Sequence, residues 1–244
     1  MPNHFLTRLV KKALPSREKL INEFRDSHYV RHNQRRQEHL ASLGLPLYKR
    51  SVLELGAGIG DHTTFFIDRE CSICTSDGKP ELVDILKERY HWMRVEHIDL
   101  EEEFPLFSDL YEVVYAYGLL YHLSNPERAL KQMAAWCSDL LLLETCVSAK
   151  DDLSINNVLE DARLGSQARS GTGSRPSRRW IMDTLKKYFP YVYATKTQPW
   201  HPEFPIDWER IPHEGLIRSV FIASRKPIDL STLTQVLPDK QERH

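Results

Sequence analysis

The stretch Val52–Thr63, VLELGAGIGDHT, constrains the fold of this chain more than any other. It begins with an apolar run, Val52–Leu55, which is typical of a buried parallel strand. Three glycines, Gly56, Gly58 and Gly60, then stand at every second position, and the residues after them predict a helix. Glycine permits positive φ and lets a ligand lie against bare backbone, and a helix N-terminus offers unpaired N–H groups. The stretch therefore predicts the strand, turn and helix that open a nucleotide-binding βαβ unit.

Acidic residues stand where the next two strands are predicted to end. Asp77 follows the strand Ser72–Ser76, about twenty residues beyond the first glycine, and Asp99 follows the strand Met93–Ile98. The C-terminal ends of parallel strands form the ligand-binding edge of an open sheet, where Asp77 could accept the hydroxyls of a ribose. Asp99 could accept from an adenine amino group, with Leu100 against the ring. Each aspartate could instead cap the helix that follows it.

A third pattern follows the fourth predicted strand, Glu112–Tyr117. The sequence GLLYHLSNP leads from there into a predicted helix, Asn125–Trp136, and a fifth strand, Asp139–Val147. Together with E-x-G-x-G-x-G and the two spaced acids, this pattern resembles the class I S-adenosylmethionine (SAM) dependent methyltransferases, in particular their small-molecule and tRNA-wobble branches. The resemblance spans Val52–Val147. Glu112 departs from it, since the family often has aspartate at that position.

The resemblance implies an α/β fold with a Rossmann-like, seven-stranded methyltransferase sheet. Its strand order is 3-2-1-4-5-7-6, and its last strand is antiparallel. In this chain, the sixth and seventh strands are predicted at Tyr191–Thr197 and Arg218–Ser224.

Three parts of the chain are predicted around that sheet. Residues 1–47 form an N-terminal helical extension, with one helix over Ser16–Leu43. Residues 48–226 form the methyltransferase domain, and residues 227–244 form a tail with a weak helix. A polar, arginine-rich stretch at about 149–179 interrupts the domain as a lid or loop insertion.

SAM is the cofactor that the resemblance implies. The residues after Asp77 provide no aromatic or large apolar cover for its adenine. From the helical extension, one of Arg31, Arg35 and Arg36 could reach the SAM carboxylate, or all three could lie on a solvated helical face. The predicted cofactor-binding residues are Glu54, Gly56, Ala57, Gly58, Gly60, Asp77, Gly78, Asp99, Leu100 and Tyr117.

Methyl transfer to a hydroxyl benefits from a general base near the methyl group. His122 is the first choice, because it follows the fourth strand and histidine titrates in the right range. It could instead cap or pack the next helix. His201 is a weaker alternative for the base, and Glu144 in the fifth strand is a lesser one.

Two segments are predicted to contact the acceptor. Arg169 and Arg175 in the lid could clamp an anionic group, since arginine suits bidentate contacts with anions, or the lid could be a mobile solvated loop. Trp200 and His201, in the proline- and aromatic-rich loop before the last strand, could line an acceptor pocket or only bury that loop.

The sequence predicts no metal site. Cys71 and Cys74 form C-x-x-C, but they lie in a predicted strand with no second closely spaced pair. Asp151 and Asp152 lack a matching Asp-Asn pair. The helical pair His28 and His32 is four residues apart, as metal ligands can be, but no nearby acid completes a site.

Composition limits the partners. The net charge is −1, so there is no overall basic field to attract nucleic acid. No apolar run approaches the ~20 residues of a membrane span, and the basic segment at 1–15 is predicted as a surface helix. We expect a cytoplasmic enzyme, as a monomer or homodimer, that O-methylates a small polar acceptor such as a natural product or sugar. An RNA-modifying methyltransferase and a non-catalytic SAM-binding scaffold are the alternatives.

Overall fold

The computed structural model describes residues 16–102, 109–150, 152–211 and 215–244. The surface helix predicted at 1–15 and the residue Asp151 lie outside these ranges. The strands are Ser51–Glu54 (β1), Ser72–Asp77 (β2), Arg94–His97 (β3), Tyr111–Tyr117 (β4), Cys137–Val147 (β5), Asn157–Leu159 (β6), Thr172–Ser174 (β7), Tyr191–Thr195 (β8), Thr197–Gln198 (β9), Ile217–Ser224 (β10), Leu233–Thr234 (β11) and Glu242–Arg243 (β12). The helices are Arg17–Phe24 (α1), Ser27–Ser42 (α2), Thr63–Ile67 (α3), Pro80–Arg89 (α4), Pro126–Trp136 (α5) and Arg178–Lys186 (α6), with a short 3-10 turn at Leu120–His122.

The central sheet has the order β11-β8-β10-β5-β4-β1-β2-β3. β1 to β5 pair in parallel, and β10 is antiparallel to both β5 and β8. Since β8 and β10 are the predicted sixth and seventh strands, the order 3-2-1-4-5-7-6 and the antiparallel last strand are confirmed. The structure adds β11 at the outer edge, beside β8.

Helices cover both faces of the sheet. On one face, α5 and α6 bury apolar side chains such as Leu130 and Ile181 against β4, β5 and β10. On the other face, Leu40 of α2 and Phe66 of α3 pack against β1, β4 and β10. Burial of a leucine or phenylalanine side chain of this kind stabilises a fold by about 1.5–3 kcal/mol. The two layers hold the C-terminal ends of β1 to β4 along one edge.

The N-terminal extension contains two helices where the sequence predicts one. α1 ends at Phe24, and the carboxylate of Asp26 caps α2 by accepting from the backbone N–H of His28. The break lets α1 turn toward the glycine loop, where Phe24 packs with Ile59. None of the helices in the described ranges is long and apolar enough to cross a membrane.

The lid and the tail also contain more regular structure than predicted. β6 and β7 pair as a hairpin within the lid, where the sequence allowed a short helix near residues 155–164. The tail has no helix but two short strands, β11 on the central sheet and β12 beside β9. The lid hairpin contacts the turn after β4, and the lid therefore lies beside the ligand-binding edge.

Candidate active site

The glycine loop after β1 has a backbone that only glycine adopts without strain. Gly56, Gly58 and Gly60 have φ values of 65°, 61° and 82°. A Cβ atom at any of them would collide with a neighbouring side chain: Leu119 at 2.9 Å from Gly56, Phe24 at 2.7 Å from Gly58 and Tyr90 at 2.5 Å from Gly60. The loop is therefore enclosed by three elements, α1, α4 and the turn after β4.

Asp77 closes the loop at the end of β2. Its Oδ2 accepts from the backbone N–H of Gly58 and its Oδ1 from that of Lys79, both at 2.9 Å. Burial raises the pKa of this carboxyl to about 6, although the N–H donors oppose the shift. Asp77 lines the same cavity as Gly56, Gly58 and Asp99. Its remaining lone pairs can accept two further hydrogen bonds there.

Asp99 lines the same cavity as the glycine loop and is bonded to the lid. Its Oδ1 accepts from the N–H of Glu101 at 2.9 Å, and its Oδ2 accepts from Arg169 Nη1 at 2.5 Å. Arg169 also donates to the carbonyl of Gly78 at 3.2 Å. Arg169, which the sequence predicts to bind the acceptor, is thus bonded to Asp99, which the sequence predicts to bind the adenine. Leu100 is buried in the cavity wall.

The lid covers a part of the cavity for which the residues after Asp77 provide no large apolar side chain. Residues 165–169 line the cavity together with Leu82 and Ile98. Glu23 of α1 accepts from the backbone N–H groups of Gly165 and Ser166 at 3.0 and 2.9 Å. Lys79 Nζ donates to the carbonyls of residues 164 and 165 at 2.6 and 3.0 Å. These four bonds fasten the lid to α1 and to the start of α4.

A second cavity adjoins the first at Gly56. It is lined by polar side chains from α2, the glycine loop and β4: Asn33, Arg36, Asp61, His62, Tyr115 and Tyr117. Three of them have a buried polar atom with no hydrogen-bond partner among the described residues: Arg36 Nε, His62 Nε2 and the Tyr117 hydroxyl. Buried polar atoms are nearly always satisfied, so these three atoms indicate a polar ligand in this cavity.

Arg36 is the arginine of the helical extension that reaches this cavity. Arg31 is exposed, and Arg35 pairs with Glu38 at 2.6 Å. Arg36 is buried and donates to Glu144 Oε2 at 2.8 Å and to Asn33. A Cβ on Gly118 would lie 2.8 Å from Arg36 Nη1.

His122 lines the first cavity and is paired with a residue of the lid. Its Nδ1 lies 2.5 Å from Glu160 Oε2, and because a carboxylate only accepts, Nδ1 donates the proton. Glu160 also accepts from the N–H of Ala168 at 2.7 Å and from Arg175 Nη2 at 3.0 Å. Burial lowers the pKa of His122, although Glu160 opposes the shift. Burial would raise the pKa of Glu160, but these donors and charges lower it to about 2.

Sequence reasoning missed Glu160. It lies 38 residues beyond His122 in a polar stretch whose composition indicates only a loop. Its side chain is 2% exposed, and no periodic pattern marks it as buried. Arg175 is also bonded to the Glu160 carboxylate. Its presence in the lid therefore does not indicate a site for an anionic acceptor.

The other predicted catalytic and acceptor-binding residues lie elsewhere. Trp200 is exposed, and its indole N–H donates to the carbonyl of His244 at 2.8 Å. His201 is buried beside His28 and His32 of α2. Neither Trp200 nor His201 lines the two cavities of the glycine loop.

Glu54, at the end of β1, is a buried carboxyl beneath the loop. Its Oε2 accepts from the hydroxyls of Thr63 and Thr75 at 2.5 and 2.9 Å. Its Oε1 has no hydrogen-bond partner in the parts of the chain that the structure describes. Burial raises the pKa of Glu54 to about 7, and the two hydroxyls only partly oppose the shift.

We expect Glu54→Gln to flatten the pH dependence of stability. A raised folded-state pKa contributes stability that is complete below the unfolded value of 4.5 and is lost as pH rises through about 7. At 1.36 kcal/mol per pH unit, the lost contribution is about 3 kcal/mol. We therefore expect the free energy of unfolding in urea to fall between pH 4.5 and 7.5 in the wild type. In Glu54→Gln this fall should be smaller by about that amount. Exposed Glu18→Gln is the control, and parallel curves for the wild type and Glu54→Gln would contradict the assignment.

The sheet order, the glycine loop and the acids at the ends of β2 and β3 define a class I SAM-dependent methyltransferase. The chain belongs to the methyltransferase domain family, whose model matches residues 4–199. SAM is therefore its cofactor.

Comparison with individual proteins agrees with this class. An uncharacterized methyltransferase of Mycobacterium tuberculosis is 32% identical over 90 residues, which cover 37% of this chain and 36% of that protein. The same figures hold for an uncharacterized methyltransferase of Mycobacterium bovis. The matched region thus spans about a third of these curated relatives.

Solved structures share the fold at low identity. The N-terminal domain of EvdMO1 with bound S-adenosylhomocysteine has a TM-score of 0.59 at 19% identity, over 80% of this chain and 81% of that chain. The 1,6-didemethyltoxoflavin-N1-methyltransferase of Burkholderia thailandensis has a TM-score of 0.55 at 17% identity, over 92% and 99%. Magnesium protoporphyrin IX methyltransferase of Synechocystis has a TM-score of 0.52 at 14% identity, over 88% and 86%.

Proposed function

We propose that this enzyme transfers the methyl group of SAM to a hydroxyl of a small polar acceptor, such as a natural product or a sugar. The observation that supports it is the hydrogen bond of Glu160 to His122, a residue that lines the same cavity as Asp77 and Asp99. With the proton on Nδ1, the lone pair of His122 is on Nε2. Nε2 makes no hydrogen bond among the described residues. Its lone pair can therefore accept a proton from the hydroxyl group of the methyl acceptor.

The two cavities match the two ends of the cofactor. Asp77 and Asp99 would accept from the ribose hydroxyls and the adenine amino group, beside the glycine loop. Asn33, Arg36 and the Tyr117 hydroxyl would bind the carboxylate and ammonium of the methionine end. Arg36 is paired with Glu144 through Nη1, but its Nε has no partner among the described residues and could donate to the carboxylate. Bound SAM would supply an activated methyl group on its sulfonium.

His122 would act as the general base. Its Nε2 would take the acceptor's hydroxyl proton as the oxygen forms its bond to the methyl carbon and the carbon–sulfur bond breaks, with S-adenosylhomocysteine as the leaving group. The carboxylate of Glu160 would hold the ring in the Nδ1–H tautomer and stabilise the imidazolium that forms. Proton transfer to a positioned base typically contributes 10²–10⁴-fold to a rate.

The internal pairing of the lid arginines favours an acceptor without strong negative charge. Arg169 and Arg175 are bonded to Asp99 and Glu160, so an acidic acceptor would have to displace those carboxylates. Arg178 donates to the carbonyl of Pro238 and stacks over Trp208. The same pairings, with a net charge of −1, give an RNA substrate little support. A small molecule is compatible with the names of two structural neighbours, methyltransferases for a toxoflavin precursor and for magnesium protoporphyrin IX.

A screen with methyl-labelled SAM tests the proposal. We expect label to enter small hydroxyl-bearing metabolites and to remain there after mild base, because a methyl ether survives base and a methyl ester does not. His122→Ala assayed in parallel identifies label that depends on this site. Label in RNA would support the RNA-modifying alternative, and base-labile or nitrogen-bound label would exclude a hydroxyl acceptor.

A further inference from the structure

A cluster of histidines and a carboxylate lies outside both cavities, between α2 and the loop before β10. His32, His201 and Glu203 each direct one ligand atom into it, and these atoms all lie within 4.8 Å of one another. His28, one helical turn before His32, places Nε2 3.2 Å from Glu203 Oε1. The sequence shows the pair His28 and His32 without an acid, and the fold brings Glu203 and His201 to it.

One ring nitrogen each of His32 and His201 lacks a good hydrogen-bond partner among the described residues. His32 is 4% exposed, and its Nε2 is buried with no hydrogen bond among the described residues. The Glu203 Oε2 atom lies 3.7 Å from it, beyond hydrogen-bond distance. His201 Nδ1 accepts a long 3.4 Å contact from the N–H of Glu203, so Nδ1 carries the lone pair.

We propose that His32, His201 and Glu203 bind a divalent transition-metal ion of the Zn²⁺ class, with His28 as the outer-shell partner of Glu203. Two imidazoles and one carboxylate form a set of donors that Zn²⁺ and its neighbours accept, whereas Mg²⁺ and Ca²⁺ take oxygen ligands. His28 is exposed and lies with Arg31 and Pro202 at an open surface depression, which provides an entry path to the buried ligands.

The surroundings of Glu203 fit a ligand carboxylate. Arg218 Nε donates to its Oε2 at 2.6 Å, and ligating carboxylates are commonly oriented by such a bond. Arg218 also donates to Glu144 at 3.1 Å, and Glu144 accepts from Arg36. One buried chain of ion pairs therefore joins the proposed metal site to the arginine in the second cavity.

A metal ion here would fix α2 to the rest of the domain. His28 and His32 belong to α2, and His201 and Glu203 belong to the loop after β9. α2 also carries Asn33 and Arg36, which line the second cavity. The ion would thus act as a structural link that positions α2, and it is not part of the proton transfer at His122.

Titration of the full chain with Zn²⁺ and Co²⁺ tests this site. We expect one equivalent of Zn²⁺ to bind and to raise the unfolding temperature. Co²⁺ should give the visible absorption of a four-coordinate nitrogen and oxygen site, without the near-ultraviolet band of thiolate ligation by a cysteine. His201→Ala and Glu203→Gln should each weaken Zn²⁺ binding at least about 100-fold, because loss of a ligand exceeds the 10–100-fold cost of losing its outer-shell partner.

Two further variants make the test independent of folding. His28→Ala removes the exposed outer-shell partner of Glu203 and should weaken binding by about tenfold, with circular dichroism unchanged. Exposed His91→Ala should bind Zn²⁺ like the wild type. The proposal is overturned if the wild type binds no Zn²⁺ and shows no thermal shift. Equal Zn²⁺ affinity in wild type, His28→Ala and Glu203→Gln would also overturn it, as would a thiolate band with Co²⁺.

Discussion

Asp77→Ala should lose about 10²–10⁴-fold of the affinity for SAM. The carboxylate of Asp77 would accept two ribose hydroxyls, and hydrogen bonds to a charged group contribute about 1.5–3 kcal/mol each. The side chain also holds the glycine loop through the N–H groups of Gly58 and Lys79, so its removal loosens the loop that contacts the ligand. Both effects act in the same direction. Calorimetric titration with SAM and S-adenosylhomocysteine measures the loss directly.

Two other variants separate charge from loop geometry. Asp77→Asn keeps an acceptor of similar shape and removes the charge, and we expect it to lose at least about tenfold in affinity. Asp84→Ala changes an exposed aspartate of α4 and should bind SAM like the wild type. If Asp77→Ala binds SAM with wild-type affinity while remaining folded, the ribose is not bound at this carboxylate.

The raised pKa of Asp77 predicts how the affinity for SAM depends on pH. The ribose hydroxyls donate, so they favour the ionised carboxylate. The pKa in the free enzyme is about 6, and SAM affinity should therefore be constant above that pH and decline below it. The slope should approach tenfold per pH unit until the lower pKa of the complex is reached. In Asp77→Asn this decline should be absent.

The parts of the fold that sequence predicts are those whose residues carry a local pattern. Apolar runs such as Leu140–Leu143 predict buried strands, and Asp77 and Asp99 identify the strand ends. β11 consists of two residues, too few to show a period, and its place on the sheet comes from contacts with β8. The break between α1 and α2 is equally invisible, because the charged helical pattern continues across it.

Residues of the candidate site could be predicted where a local sequence pattern marks them. They could not be predicted where segments far apart in the chain come together. The glycine loop and its spaced acids are encoded locally. Arg31, Arg35 and Arg36 look equivalent in the sequence, and only the packing of α2 against Glu144 decides that Arg36 is the buried one. Glu160 and Glu203 reach their histidine partners through the lid and the loop before β10, so no spacing in the chain predicts them.

His122→Ala should lower kcat by about 10²–10⁴-fold while SAM affinity changes little, because the base acts on the acceptor and not on the cofactor. The pH profile provides a readout that a packing role would not produce. The pKa of His122 is lowered, and a base works only when deprotonated. The wild-type kcat/KM for the acceptor, measured at saturating SAM, should therefore fall below a pKa under 6.5 and be constant around pH 7. That limb should be absent in His122→Ala. Full activity in this variant, once the acceptor is in hand, would make His122 structural.

Glu160→Gln tests the orienting role of the lid carboxylate. The amide oxygen can still accept from His122 Nδ1, so the ring keeps its tautomer, but the charge that stabilises the imidazolium is gone. We therefore expect kcat to fall less than in His122→Ala, and the pKa on the acid limb of its pH profile to move down, because the neighbouring negative charge no longer favours the protonated ring. Asp161→Asn is the matched control, since Asp161 is the adjacent lid acid and pairs with exposed Arg163. If Glu160→Gln leaves both kcat and the pH profile unchanged, His122 works without the lid, and the lid serves only to cover the cofactor.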